Sequence, residues 1–188
     1  PMGVQPYGFF VDIAGKIKAN VHVPVSTVGR IIDPAMAERI VTCGKADIIG
    51  LGRPLLADPD WGAKIEAGRS CDIRRCISCN KGCTDAIQER RFISCVLNAE
   101  NGCENVRSIT PADVKKKVAV IGGGPAGLEA ARVASLRGHS VTLFERETEL
   151  GGQLNLACLP PRKSEMRRAT QDLIHAVRRA GVHLCLGC

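Results

Sequence analysis

The chain has 188 residues, 45% of them hydrophobic and 24% charged, which is globular usage, enough for one domain core or two small ones, and excludes a disordered segment. A net charge of +7 spread along the chain, with only 3% aromatics, leaves no stacking platform for nucleic acid and suits small ligands that carry phosphate. No apolar run of about 18 residues occurs, and the N-terminus lacks the order of a signal peptide, so the expectation is a cytoplasmic protein without a membrane span, whose ten cysteines serve a metal centre rather than disulfides.

Phe10, Ile13, Ala14 and Ile17 fall at helical spacing, and the following VHVPVSTVG reads as a buried strand entering a glycine turn, weakened by Pro24. Asp33 before Pro34 is an N-cap with proline at the first helical position, opening a helix through Ala37, Ile40 and Val41 that Gly44 ends. The order then repeats. Ala46 to Leu51 is a second strand, Gly52 and Arg53 form its turn, and Asp58 with Pro59 caps a helix carrying Trp61 and Ile65 as far as Gly68. Two successive βα units thus each end their strand in a Gly-Arg pair.

In parallel α/β folds the site lies beyond the carboxyl ends of the strands, where backbone N–H groups commonly hold a phosphate. Gly29 and Gly52 let the backbone approach it, and Arg30 and Arg53 can add charge-assisted bonds. One such pair alone is as well explained by a tight turn with an exposed arginine. The repetition favours phosphate.

CISCNKGC follows, from Cys76 to Cys83, and Cys95 in RFISC completes four thiols spaced C-x2-C-x3-C-x11-C. A CxxC turn lets two thiolates reach one centre, a third follows closely, and the fourth returns from a separate segment, the pattern of a [4Fe-4S] cluster. A structural zinc on the same sulfurs, or a pair of disulfides, would explain the count less well, since zinc more often takes two CxxC knuckles and disulfides belong to secreted domains. Arg74, Arg75, Lys81, Arg90 and Arg91 surround these cysteines in sequence; cations there would raise a cluster's potential, unless they form a solvated basic surface. Cys103 rivals Cys95 for the fourth position.

Residues 98–116 have linker chemistry, and a new domain begins after them. Lys117 to Ile121 is a short buried strand, GGGPAG its turn, Leu128 to Arg137 a helix stopped by Gly138, and Val141 to Phe144 a second strand ending in Glu145. Gly122, Gly124 and Gly127 stand in a GxGxxG frame, with strand, turn, helix, strand and acidic residue all in the order that gives the motif meaning. The first glycine permits the turn, the second admits a pyrophosphate and the third lets helix and sheet pack; Glu145 then accepts from a ribose hydroxyl, which suits FAD, NAD or ADP better than NADP. GGQL, Gly151 to Leu154, is a loop that could pass close to the nucleotide. Residues 166–180 form an amphipathic basic helix with Leu173, Ile174 and Val177 on its packing side. The chain opens on Pro1 in a loop and stops at Cys188 after the strand-like VHLCLG, and is expected to be part of a longer protein.

The succession of VGR and GLGRPLLADP, CISCNKGC with Cys95, and VIGGGPAGLEAA with GGQL resembles the iron-sulfur flavoenzymes of the old yellow enzyme superfamily, across nearly the whole chain. The resemblance implies an α/β chain in three parts: residues 1–70 as the end of an FMN-binding (β/α)8 barrel, 71–110 as a cluster segment and linker, and 111–188 as the start of a Rossmann-like FAD domain. By the same resemblance Gly29, Arg30, Gly52 and Arg53 hold FMN phosphate, Cys76, Cys79, Cys83 and Cys95 ligate the [4Fe-4S] cluster, and Gly122, Gly124, Gly127 and Glu145 bind the dinucleotide. The implied reaction reduces an activated C=C bond of an unsaturated acid or acyl-CoA, with electrons passing from NAD(P)H through FAD and the cluster to FMN. Its catalytic proton donors fall outside these residues. Two alternatives stand beside it: an amine dehydrogenase working in the oxidative direction, and a non-enzymatic module that binds zinc and a nucleotide.

Overall fold

The computed structural model describes residues 4–188, so the loop expected at Pro1 lies outside the described residues. The chain divides into two compact units, one ending at Gly102 and the other beginning at Cys103.

In the first unit, helix α1 (Val11–Lys18) buries Ala14 while Ile13 and Ile17 stay about half exposed. The long buried strand expected from VHVPVSTVG is not formed. Strand β1 is Ser26–Thr27 and pairs in parallel with β2, Ile48–Ile49, Ser26 opposite Ile48 and Thr27 opposite Ile49. Pro24 has no N–H to give a ladder, and Val21, Val23 and Val28 are exposed, so pairing closes over two residues. The crossover between them is α2 (Pro34–Thr42), where the Asp33 carboxylate accepts the Ala35 N–H at 2.9 Å as expected of the cap. Gly44, with φ of 66°, then turns the chain out of the helix. Ile31, Ala37, Ile40, Ala46, Trp61 and Ile73 form the core beneath.

After β2 the expected turn at Gly52 and Arg53 is instead the start of a helix, α3 (Arg53–Ala57), with Gly52 as its N-cap and Pro54 in its first turn. The next helix, α4 (Trp61–Glu66), has Asp60 rather than Asp58 at its N-cap position, with no side-chain capping bond. Asp58 is fully buried and has another task. Its carboxylate accepts from the Lys64 ammonium at 2.6 Å, the Arg74 N–H at 2.8 Å and the Asp60 N–H at 3.2 Å, pinning the chain where it enters the cysteine segment. Asp58→Ala strips all three donors of their acceptor, and we expect it to destabilise this unit by about 2 to 3 kcal/mol. Denaturant unfolding of the full-length protein measures this, with Asp33→Ala, which loses only an exposed cap, as the milder comparison at about 1 kcal/mol.

The cysteine segment passes through a 3-10 turn at Ser70–Asp72 and a short helix α5 (Thr84–Gln88). The second unit opens with α6 (Glu104–Arg107) inside the expected linker. Then come β3 (Lys117–Ile121), α7 (Pro125–Leu136), β4 (Ser140–Glu145), α8 (Leu154–Ala157), α9 (Ser164–Arg179) and β5 (His183–Leu186). The three strands are parallel in the order β3-β4-β5, with Val120 opposite Leu143 and Glu145 opposite Leu186. Helices α7 and α9 pack on each other, and Leu128, Ala131, Val141, Leu143, Val177 and Val182 form the core. The basic helix thus spends its apolar side on packing, as its pattern predicts. Strand β3, expected to be wholly buried, is covered on alternate residues: Val118 and Val120 are partly buried against the core, whereas Ala119 and Ile121 are exposed.

Candidate functional site

Cys76, Cys79, Cys83 and Cys95 line one small cavity in the first unit, walled on its apolar side by Leu56, Ile77 and Leu97. Local backbone geometry brings them there. Ser78 and Asn80 both take left-handed φ, 53° and 64°, which folds the C-x2-C-x3-C run back on itself. Asn80 accepts the Cys83 and Asp85 N–H groups, each at 3.1 Å, closing the turn into α5. Gly82 lies against Ser94: the Ser94 N–H donates to the Gly82 carbonyl at 2.6 Å, and a Cβ on Gly82 would meet the Ser94 oxygens at 2.6 Å. Only glycine permits that approach, and it carries Cys95 to the cage. Asn98, 5% exposed, ties the returning segment to α3 by donating a hydrogen bond from its side-chain amide to the Leu56 carbonyl at 3.0 Å. Sequence reasoning passed over Gly82, Asn80 and Asn98; a glycine within the ligand run was the one readable signal for the first.

Burial pushes the Cys76 thiol up, opposed by the Ser78 N–H at 3.3 Å and by the Arg53 charge. It pushes Cys95 up as well, against the Leu97 and Asn98 N–H groups. A metal bound there would have to displace protons from such thiols, and its binding would be favoured by rising pH. Cys103 is the N-cap residue of α6 and does not line the cage.

The two Gly-Arg pairs meet at a second cavity of about 350 Å³, lined by Gly29, Arg30, Gly52, Arg53, Ser78 and Thr84 among others. Gly29 takes φ of 113°, and a Cβ added to Gly52 would enter open space, so the backbone at Gly52 is accessible to a ligand. Both guanidinium groups, besides lining this cavity, hold contacts within the protein. Arg30 is 7% exposed, lies 4.5 Å from the Tyr7 ring centroid and donates to the Gln5 carbonyl. Arg53 donates from Nη1 to the Asn80 side-chain oxygen at 2.5 Å. Arg53 and Cys76 line both this cavity and the cysteine cage. None of Arg74, Arg75, Lys81, Arg90 and Arg91, the cations nearest in sequence, lines the cage: Arg74 donates to the Leu97 carbonyl at 2.9 Å and Arg91 pairs with Glu89 at 2.5 Å.

In the second unit the first and third glycines make the turn and the close approach that their spacing predicts. Gly122 has φ of 98° and its N–H donates to the Phe144 carbonyl at 2.8 Å; Gly124 faces open space; a Cβ on Gly127 would stand 1.9 Å from the Gly122 oxygen. Gly127→Ala should therefore lower the stability of this unit by about 3 kcal/mol or more, read by thermal unfolding, while Gly124→Ala should leave unfolding unchanged and weaken dinucleotide binding. GGQL joins this turn. The Gly151 N–H donates to the Gly123 carbonyl at 2.8 Å, and Gly152 backs onto Gly124. Glu145 is committed to the same loop, accepting the Gly123 N–H at 2.6 Å on one oxygen and the Glu147 N–H at 3.0 Å on the other. The Glu147 and Gly123 N–H groups hold its carboxyl below the usual range. The cavity beside it, about 790 Å³, is lined by Gly122, Glu145, Arg146, Gly152 and Gln153 among others.

A parallel sheet with a glycine turn under an acidic strand end, joined in one chain to a unit with paired Gly-Arg loops and a cysteine cage, defines a class of flavin-dependent oxidoreductase. Residues 10–72 match the NADH:flavin oxidoreductase / NADH oxidase family and residues 117–182 match the FAD dependent oxidoreductase family, and the chain belongs to the flavoenzymes that combine the two. It is 61% identical over 186 residues to the bilirubin reductase of Mediterraneibacter gnavus, an alignment covering 99% of this chain and 29% of that protein. Its structure is similar to a 2-naphthoyl-CoA reductase in complex with 2-naphthoyl-CoA, with a TM-score of 0.94 and 32% identity over 99% of this chain and 29% of that one. Histamine dehydrogenase from Rhizobium sp. 4-9 is similar too, with a TM-score of 0.92 and 33% identity over 100% of this chain and 28% of that one. The chain thus spans less than a third of the length of these relatives. No helix among the described residues is long and apolar enough to cross a membrane.

Proposed function

We propose that the chain is the electron-transfer part of a flavin- and iron-sulfur-dependent oxidoreductase that takes electrons from NAD(P)H and reduces an activated C=C bond in a small unsaturated substrate. In this reading residues 1–70 belong to an FMN barrel, 71–110 carry the cluster and linker, and 111–188 begin the FAD domain. Bound FAD, [4Fe-4S] and FMN would supply the redox chemistry, the cluster dividing a hydride's electron pair into single electrons between the two flavins. The chain's own residues hold these groups. Cys76, Cys79, Cys83 and Cys95 ligate the cluster, Leu56, Ile77 and Leu97 keep water from it, Gly29, Arg30, Gly52 and Arg53 hold the FMN phosphate, and Gly122, Gly124, Gly127 and Glu145 receive the dinucleotide.

One observation carries the reading: Cys76 and Arg53 line both the cysteine cage and the Gly-Arg cavity, so a cluster and a flavin phosphate held there would be neighbours. The C-x2-C-x3-C-x11-C order of the ligands, without two CxxC knuckles, supports the cluster over zinc. The relative named bilirubin reductase and the structure named 2-naphthoyl-CoA reductase favour reduction, with a conjugated substrate of either kind. The similarity to histamine dehydrogenase supports amine oxidation as the second reading. Anaerobic reconstitution of the full-length protein with iron and sulfide tests the centre: about four irons per chain are expected, and a colourless protein with one zinc would overturn it. Adding NADH or NADPH to the loaded protein without amine should bleach the flavins; bleaching by an amine alone would replace the reductase reading with the dehydrogenase one.

A further inference from the structure

The cysteine run divides its side chains between two cavities. Ile77 and Cys79 line the cage, Cys76 lines both the cage and the Gly-Arg cavity, and Ser78 lines the Gly-Arg cavity and not the cage. Ser78 is 1% exposed. Its N–H donates to the Cys76 sulfur at 3.3 Å, yet its hydroxyl has no hydrogen-bond partner among the described residues. The residue also takes φ of 53°, which glycine adopts freely and a residue with a side chain seldom does. A buried, unpaired hydroxyl on left-handed backbone is unfavourable on both counts, and an acceptor held in the cavity offsets the first. Arg30 and Arg53 bring positive charge to the same cavity, so the acceptor that fits there is an anionic oxygen.

We propose that Ser78 donates a hydrogen bond to the phosphate of flavin mononucleotide in the Gly-Arg cavity, so that the run carrying the cysteine ligands also completes the flavin site. The proposal rests on that cavity being the flavin-phosphate site of the reading above. A hydroxyl suits this place because it can donate to a phosphate oxygen without adding charge beside two guanidinium groups. Its position is set by the cage. Ser78 stands between Cys76 and Cys79, and the left-handed turn that presents those two sulfurs on one side sends its side chain to the other.

The test uses the full-length holoprotein, stripped of FMN with iron and FAD retained, and titrated without oxygen against FMN and against riboflavin, with binding read from the quenching of flavin fluorescence. Riboflavin lacks only the phosphate, so the ratio of the two affinities isolates what the protein does to that group. Ser78→Gly deletes the hydroxyl and accepts the same backbone conformation, and it should lower the FMN-to-riboflavin ratio about tenfold. A structural role would weaken both flavins together and leave the ratio unchanged, as would a hydroxyl satisfied by water. An unchanged ratio in Ser78→Gly therefore overturns the proposal at any iron content; if that variant does not fold, the ratio in Ser78→Ala decides in the same way. Wild-type protein that binds riboflavin as tightly as FMN is a different outcome, seen before any variant is made, and removes the phosphate reading of the cavity itself.

Discussion

Cys95→Ser is expected to take bound iron in the full-length protein from about four per chain to near zero, while Cys103→Ser retains it. Cys95 lines the cavity with Cys76, Cys79 and Cys83, carried there by the contact of Gly82 with Ser94. Cys103 is the N-cap residue of a short helix and does not line that cavity. A cubane that loses one thiolate to a serine hydroxyl has a harder, more weakly bound ligand at that corner, and in an apolar cavity no water replaces it readily. Iron and acid-labile sulfide, measured on protein purified without oxygen, are the readout. Retention by Cys95→Ser with loss in Cys103→Ser would mean that the fourth ligand had been assigned to the wrong segment. Gly82→Ala should mimic Cys95→Ser in part, because its Cβ pushes the segment carrying Cys95 away while leaving all four thiols in place.

Glu145→Ala is expected to weaken FAD or ADP binding by roughly 100-fold, the scale of leaving a hydroxyl and its donors poorly paired. The carboxylate does two things at once. One oxygen braces the glycine loop through the Gly123 N–H and the other holds the Glu147 N–H just past the end of β4, and each oxygen keeps a further lone pair for a ribose hydroxyl. Glu145→Gln separates these tasks, since it keeps the shape and one carbonyl acceptor but presents an amide to the other N–H. Its loss should be smaller than that of the alanine variant. The pH dependence has a definite sign. Because the folded carboxyl lies below its ordinary value, the contribution of this group is complete above the ordinary carboxylate pKa and is lost only as the pH falls through the depressed folded value. Affinity should therefore hold at mildly acidic pH and fail below it. Bound FMN and iron should not change in either variant; retained FAD affinity would take the ribose role from Glu145, and joint loss of FMN and FAD would show that the two units fold as one.

The sites of closest approach were readable from the chain because spacing itself encodes them. The order strand, GGGPAG, helix, strand, Glu145 needs no tertiary knowledge, since a positive φ at Gly122 and the 1.9 Å approach forbidding a side chain at Gly127 are demands of local geometry. The Asp33-Pro34 cap was equally local. Strand lengths were not, because a strand extends only as far as a partner offers hydrogen bonds, and the apolar run VHVPVSTVG found two residues of pairing. The role of Asp58 escaped for a similar reason: an Asp before a proline looks like a cap, and its bonds to Lys64 and Arg74 exist only once α4 and the cysteine segment fold over it.

Sequence by itself determined which atoms could bind, namely four thiols, two Gly-Arg pairs, three glycines and one carboxylate, because side-chain chemistry travels with the residue. Tertiary structure alone decided how they are used. It turned the Arg30 guanidinium onto Tyr7 and gave Arg53 to Asn80, although the two Gly-Arg pairs look interchangeable in the chain. A long charged side chain bonds whatever acceptor the packed backbone leaves within reach, and for Arg53 that acceptor arrives 27 residues later, in the middle of the cysteine run.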